Sequence, residues 1–284
     1  MTKNSILKIA GVPEHFNLPW HYALENNWFS EKGIDLQWTD YPAGTGAMNK
    51  DLRSGILDAA VILTEGIVAD IINGNKSKIV QWYVKSPLVW GIHVANSSTI
   101  LNNEQFAKKK YAISRYGSGS HLMAFVDAHQ RGLEIKPEQF VVVNNLDGAV
   151  KALTLGEADL FMWEKFMTKP LVDNGTFRKV EECPTPWPSF VIAVREEYLE
   201  KNPVVISNML EVIQRSCKEF AALPDVIERI ARRFKLRPDD VKEWMKTIEW
   251  ETENTFDKKP LEEVMKTLVE VGIIDREKCI DSSI

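Results

Sequence analysis

Cysteine is scarce in this chain of 284 residues, and the three cysteines present are far apart in the sequence. Cys183, Cys217 and Cys279 match neither the paired spacings of zinc sites nor the dense framework of small disulfide-bonded domains. We therefore expect a reduced, intracellular protein that carries no metal ion and no covalent cofactor.

Long apolar runs and a secretory start are also missing. The N-terminal stretch has neither the apolar core region nor the small-residue cleavage site of a secretory signal. Lys8 interrupts its apolar residues, and Pro13 follows soon after. No apolar run reaches the roughly 18 residues of a membrane-spanning helix. The formal net charge of -5 gives no electrostatic reason to bind nucleic acid or an anionic membrane. These absences predict a cytoplasmic protein, or an exported one only if a leader is removed, with no nucleic-acid partner and no membrane insertion.

Short strand-like runs alternate with helical runs along most of the chain, which is typical of a parallel or mixed α/β sheet covered by helices. The predicted strands of a first set are residues 6–12, 34–38, 59–63, 79–83 and 88–94. A second set follows near residue 112 and at residues 140–143 and 159–162, and a returning strand is predicted at residues 190–194. From Pro203 onward the pattern is helical.

Two segments mark crossings between structural units: the polar residues 96–99 and the proline-rich residues 183–188. A weak internal repeat supports two units of one design, because residues 52–59 resemble residues 153–160. In each copy a glycine ends a helix and an aspartate precedes a strand. We predict two α/β lobes with two crossovers, near residues 95 and 189, and a helical C-terminal segment. Lobe 1 comprises residues 1–95 and 189–284, and lobe 2 comprises residues 96–188.

A turn rich in glycine and serine is the most informative local feature. Residues 116–121 read Tyr-Gly-Ser-Gly-Ser-His, between the apolar residues 111–113 and an amphipathic helical run. Serines at this place are suited to cap the helix, whose first turn presents unpaired N–H groups and the positive end of its dipole. The turn therefore predicts an anion-binding site. The alternative is a cap that binds no ligand.

Other predicted strands are followed by comparable turns, and open α/β sheets bind ligands beyond the carboxyl ends of their strands. Together these turns offer backbone donors, hydroxyls, amides, aromatic faces and carboxylates, which suits a small anionic or polar organic molecule. The residues predicted to bind it are Glu14, His15, Asn17, Gly44, Thr45, Gly46, Thr64, Glu65, Gly117, Ser118, Gly119, Ser120, His121, Asn144, Trp163, Glu164 and Trp187.

Several of these residues also have an ordinary structural interpretation. His15 and His121 fit capping or surface positions, and Glu65 at a helix start complements the helix dipole. Three further tryptophans follow helix or strand periodicity and are predicted to be core residues: Trp20, Trp28 and Trp38.

Four parts of the sequence carry a resemblance to a known superfamily: residues 23–29 with 33–36, residues 55–60, residues 114–120 and residues 152–159. On these residues the chain resembles the type II periplasmic-binding-protein superfamily, in its sulfonate-binding-like and thiamine-pyrimidine-synthase-like branch. The likeness covers essentially the whole chain and is closest to intracellular, fungal-type members without a signal peptide. It implies the two-lobed type II fold, an anionic ligand group held by residues 118–120, and closure of Trp163 and the first-lobe turns over the remainder.

The resemblance also implies an enzymatic alternative. Thiamine-pyrimidine synthases of this kind use pyridoxal phosphate, histidine and iron, and carry a compact run of cysteines. Here only Cys183 stands near the corresponding segment. In that alternative Lys50 or Lys165 forms a Schiff base. A regulatory or protein-interaction module is a third possibility.

We expect a non-catalytic binder of a small, anionic ligand in an interlobe cleft, closing by a hinge at the two crossovers. It has no catalytic residue and no cofactor in this interpretation, and the sequence identifies no protein partner.

Overall fold

The computed structural model describes residues 4–280, and two five-stranded mixed β-sheets form its centre. In chain order the strands are β1 (Ser5–Gly11), β2 (Ile34–Asp40), β3 (Ala59–Leu63), β4 (Ser77–Val84), β5 (Val89–Ala95), β6 (Tyr111–Ile113), β7 (Phe140–Val142), β8 (Leu160–Glu164), β9 (Phe177–Pro184) and β10 (Phe190–Arg195). The strand order is β2-β1-β3-β10-β4 in the first sheet and β7-β6-β8-β5-β9 in the second.

Both sheets follow one plan. β1 is parallel to β2 and β3, and β10 runs antiparallel between β3 and β4. In the second sheet β6 is parallel to β7 and β8, and β5 runs antiparallel between β8 and β9. β3 is buried along its whole length because helices cover both faces of the sheet. The predicted two-lobed α/β fold is confirmed.

Helices flank the sheets and form the C-terminal segment. They are α1 (Leu18–Glu25), α2 (Trp28–Glu31), α3 (Thr45–Ser54), α4 (Thr64–Ile72), α5 (Gly119–Gln130), α6 (Leu146–Thr154), α7 (Lys169–Asp173), α8 (Glu196–Lys201), α9 (Pro203–Ala221), α10 (Val226–Phe234), α11 (Pro238–Met245), α12 (Lys259–Glu270) and α13 (Arg276–Ile280). α9 packs on α1, where the Ser216 hydroxyl donates to the Pro19 carbonyl at 2.6 Å, and α12 packs on α4. None of the helices between residues 4 and 280 has the length and apolar character to cross a bilayer.

One predicted strand lies in the other sheet. The prediction that residues 88–94 complete the first lobe is wrong, because β5 pairs with β8 and β9 of the second sheet. The apolar composition of a strand predicts that it is buried, but it does not identify the strands with which it pairs. Residues 88–94 therefore fit either sheet. The first crossing therefore lies at residues 85–88 and not near residue 95. The division of the chain into two lobes otherwise stays a proposal, and its ends include residues 1–3 and 281–284, outside the described residues.

The two crossings lie side by side. The Leu88 N–H donates to the Thr185 hydroxyl at 3.0 Å, and the Thr185 N–H donates to the Leu88 carbonyl at 2.9 Å. The Ser189 hydroxyl donates to the Ser86 carbonyl at 2.8 Å. The two sheets are thus joined by a narrow pair of hydrogen-bonded segments.

Candidate functional site

A cavity of about 250 Å³ lies between the two lobes, and each of the six parallel strands sends residues to its wall at or just beyond its carboxyl end. From the first lobe these are Val12, Pro13 and Glu14 after β1, Pro42, Ala43, Gly44 and Thr45 after β2, and Leu63 of β3. From the second lobe they are Ser114, Arg115, Ser118, Gly119 and Ser120 after β6, Asn145 and Leu146 after β7, and Trp163, Glu164 and Met167 at the end of β8. Open α/β sheets bind ligands at this position.

The structure brings many of the predicted ligand-binding residues together at this cavity. Those that line it are Glu14, Gly44, Thr45, Ser118, Gly119, Ser120, Trp163 and Glu164. They come from both lobes, as the turn pattern predicts, and their role in binding stays a prediction.

An unpaired arginine is the most distinctive group in the wall. Arg115 is half-buried, and burial lowers the pKa of its guanidinium, to which no carboxylate of residues 4–280 contributes. The guanidinium reaches the first turn of α3, since a methyl group at Gly46 would lie 2.9 Å from its Nε. The N-cap of α3, Gly44, provides no side-chain cap. Two electropositive groups, Arg115 and the first N–H groups of α3, thus lie close together.

The serines of the glycine-rich turn contact each other at the start of α5. The Ser118 hydroxyl caps the helix by accepting the His121 N–H at 3.4 Å, which confirms the predicted cap. The Ser120 hydroxyl accepts the Ser114 N–H at 3.0 Å and lies 3.1 Å from the Ser118 hydroxyl. One of the two hydroxyl hydrogens is used between the serines, so one remains to donate to a ligand.

Gly119 has no room for a side chain. A Cβ at this position would lie 2.6 Å from the Leu63 Cδ1 and 2.8 Å from the Trp90 ring. Leu63 belongs to the first lobe, whereas Trp90 and Gly119 belong to the second. The glycine therefore allows the two walls of the cavity to approach each other.

Two carboxyl groups line the same cavity from opposite lobes. Burial raises the pKa of Glu164 to about 7, and burial together with repulsion from Glu164 raises the pKa of Glu14 to about 8. His15 Nε2 lies 3.7 Å from the Glu164 Oε2. Burial lowers the pKa of His15 to about 3, and its ring stacks on Trp244 with 4.1 Å between centroids. His15 is therefore neutral and supplies no positive charge to the carboxyl pair.

Four predicted residues lie in buried polar contacts away from the cavity wall. Asn17 donates to the carbonyl of residue 12 at 2.8 Å, and Thr64 donates to a carbonyl of the second crossing at 2.6 Å. Trp187 Nε1 donates to the Glu65 Oε2 at 3.0 Å. Burial raises the pKa of Glu65 to about 7. These contacts hold the turns and the crossing in place.

The remaining predicted residues face a neighbouring open groove or solvent. Gly46, Gly117 and His121 line a groove of about 460 Å³ beside the cavity. Asn144 is exposed in a left-handed conformation, with φ of 68°. Its neighbour Asn145 lines the cavity instead and caps α6.

The residues of the enzymatic alternative lie outside the cavity wall. Lys50 lines the open groove, and the Lys165 ammonium lies 3.2 Å from the Glu182 carboxylate. Cys183 is buried, and burial raises the pKa of its thiol to about 12. Within the described part of the chain, no three His, Cys, Asp or Glu side chains form a group suited to a metal ion.

Several residues that line the cavity were not predicted from the sequence, among them Arg115, Trp90 and Met167. Arg115 lies inside the segment that carries the family resemblance, and a cation beside a glycine- and serine-rich turn was a signal for it. Trp90 was not predicted to line the cavity because the sequence pattern assigns β5 to the wrong lobe. Met167 follows β8 by three residues, and nothing in its sequence context distinguishes it from a core methionine.

Comparison with known proteins agrees with this fold. Residues 90–183 match the family model described as Ca3427-like PBP. The structure is similar to that of the Candida albicans CA3427 gene product, which exhibits the generic periplasmic-binding-protein fold. The two sequences are 29% identical, the match covers 97% of this chain and 94% of that one, and the TM-score is 0.92.

More distant structures share the same architecture. The alkanesulfonate-binding protein SsuA from Xanthomonas axonopodis pv. citri, bound to MOPS, is 13% identical with a TM-score of 0.80, over 97% of this chain and 96% of that one. The nitrate-binding protein NrtA from Synechocystis PCC 6803 is 15% identical with a TM-score of 0.69, over 98% and 85%. At these identities the likeness shows the fold alone. No curated protein sequence matches the chain significantly.

Proposed function

We propose that this chain, which belongs to the type II periplasmic-binding-protein-like superfamily, is a non-catalytic binder of a small anionic organic molecule. The ligand occupies the interlobe cavity with its anionic group between Arg115 and the start of α3. The meeting of these two electropositive groups, with no carboxylate partner for Arg115 among residues 4–280, carries the proposal.

The chemistry of the cavity supports an organic anion. A guanidinium forms short, charge-assisted hydrogen bonds with sulfonate, phosphate or carboxylate oxygens. The free hydroxyl hydrogen of the Ser118 and Ser120 pair adds a neutral donor. Leu63, Trp90 and other apolar side chains line the rest of the wall and suit an apolar part of the ligand. Sulfonate binding by proteins of this fold makes alkanesulfonates the first probes to use.

Closure around the ligand belongs to the same proposal. The hinge consists of the paired crossings at residues 85–88 and 185–189, which join the two sheets. In this proposal two contacts between the C-terminal helices and the second lobe stabilise the closed form: the His129 ring with the Glu270 carboxylate and the Lys169 ammonium with the Asp240 carboxylate, each at 3.5 Å. Compaction on binding is measurable by small-angle X-ray scattering.

Titration calorimetry with butanesulfonate, comparing the wild-type protein with Arg115→Gln, tests the anion site. A hydrogen bond to a charged group contributes about 1.5–3 kcal/mol, so we expect the substitution to weaken binding by about tenfold or more. Arg232→Gln is the matched control, since it removes one exposed positive charge that lies outside the cavity wall.

The binding results either support or contradict a non-catalytic anion binder. Weaker binding by Arg115→Gln alone, with the probe recovered unchanged after incubation, supports a non-catalytic anion binder. Equal binding by all three proteins, no binding by the wild type, or conversion of the probe contradicts the proposal.

A further inference from the structure

The cavity contains two acidic groups that an anion binder does not need. Glu14 follows β1 in the first lobe, and Glu164 ends β8 in the second, so the carboxyl groups approach the ligand from opposite sides. Both line the cavity that contains Arg115. An anion alone would be repelled by these groups whenever they are ionised.

Between residues 4 and 280, no lysine or arginine forms a salt bridge with either carboxyl group of this pair. The Glu164 Oε2 accepts the N–H groups of Phe166 at 2.9 Å and Met167 at 2.7 Å. No hydrogen bond from any residue between 4 and 280 reaches its Oε1 or either oxygen of Glu14. Glu164 is buried and Glu14 is half-buried, so their carboxyl groups are only partly satisfied, and such groups favour a counter-ion or a proton.

The charged groups around Glu14 and Glu164 do not neutralise the two carboxyl groups. Lys165 lowers the pKa of Glu164, but its ammonium forms an ion pair with Glu182, and Glu182 raises the same pKa. His15 faces Glu164 as a neutral ring. Arg115 forms no salt bridge with either carboxyl group.

We infer that the ligand is zwitterionic, with a protonated nitrogen between Glu14 and Glu164 and its anionic group at Arg115. This inference rests on the proposed function and specifies the class of ligand. The nitrogen supplies the missing positive charge, and the aromatic rings of Trp90 and Trp163 in the wall are suited to a cation. A plain alkanesulfonate fills the same cavity but leaves the carboxyl pair without a partner.

Binding of a zwitterion also changes the protonation of the carboxyl pair. Burial holds part of the carboxyl pair protonated near neutral pH, because the pKa values are about 7 and about 8. A bound ammonium favours the ionised carboxylates, so binding releases protons. The affinity for a zwitterion therefore rises with pH between about pH 6 and about pH 8, up to about tenfold per pH unit for each proton released. The affinity for a plain sulfonate does not rise.

The test compares ω-aminoalkanesulfonates of two to four carbons with the unsubstituted alkanesulfonates of the same lengths. Calorimetry is done in Tris and in imidazole, because sulfonate buffers would compete, and the two ionisation heats report proton release. The variants are Glu14→Gln and Glu164→Gln, whose amides keep the shape and can still accept N–H bonds. Glu157→Gln is the control, an exposed carboxylate before the opposite end of β8.

We expect at least one aminosulfonate to bind about tenfold or more tightly than its unsubstituted partner, with proton release. Either cavity variant removes this preference, and Glu157→Gln keeps it. Equal or tighter binding of the unsubstituted sulfonates by the wild type overturns the zwitterion and leaves the anion site standing. If neither series binds, the proposed function fails as well.

Discussion

Replacing Glu65 with glutamine is expected to stabilise the protein, and more strongly as the pH rises. Glu65 is fully buried beneath the second crossing, and its Oε1 has no hydrogen-bond partner within residues 4–280. Its Oε2 accepts the Trp187 Nε1–H at 3.0 Å, which an amide oxygen can also do. The substitution therefore keeps the contact and removes the ionisable group.

The magnitude follows from the pKa shift. Burial raises the pKa of Glu65 from its ordinary value of 4.5 to about 7, so between these values the unfolded chain loses a proton that the folded protein keeps. Stability then falls as the pH rises, by about 1.4 kcal/mol for each pKa unit of difference. Roughly 3 kcal/mol of stability is thus lost above neutral pH, and glutamine avoids this loss.

Urea unfolding of the wild type and Glu65→Gln at about pH 5, about pH 7 and about pH 8.5 measures the difference. We expect similar stabilities at the lowest pH and a growing advantage for the variant above it. The exposed control Glu157→Gln shows no such trend. A difference between wild type and Glu65→Gln that does not change with pH would refute the reasoning.

Two further predictions concern the walls of the cavity. Gly119→Ala places a methyl group about 1 Å too close to Leu63 across the cleft, so we expect weaker butanesulfonate binding and retained secondary structure, by calorimetry and circular dichroism. Unchanged affinity would mean that the lobes do not need this close approach. Replacing Ser118 and Ser120 together with alanine removes the cap and leaves the Ser114 N–H unpaired, so the melting temperature falls without ligand. Because one hydroxyl hydrogen is free for a ligand, affinity also falls by about tenfold or more, and a lower melting temperature with unchanged affinity would assign the turn to capping alone.

Much of the architecture was predictable because its signals are local. The internal repeat is real: Gly55 and Gly156 both adopt left-handed conformations. In each copy the following aspartate accepts an N–H from the neighbouring strand or the residue before it: Asp58 from Lys8 within β1, and Asp159 from Lys110 just before β6. The glycine that ends each helix is a local signal, which made the repeat visible, whereas the aspartate contacts join residues 50 and 49 positions apart.

The predictions that were wrong concern contacts between segments that are distant in the sequence. Residues 88–94 have the composition of a buried strand, but which sheet they join is decided by pairing with β8 and β9, far along the chain. Likewise, Trp187 looked like a pocket residue on its proline-rich segment, and its partner Glu65 lies 122 residues away. A turn pattern shows which ends of the strands meet, but not which side chains at those ends remain without a partner.

A crystal structure of the protein with butanesulfonate tests the central claim most directly. We expect sulfonate oxygens within about 3 Å of the Arg115 guanidinium and of the first N–H groups of α3, with the alkyl chain against Leu63 and Trp90. A sulfonate bound outside this cavity, or an Arg115 paired with a carboxylate of the protein while the ligand lies elsewhere, would contradict it.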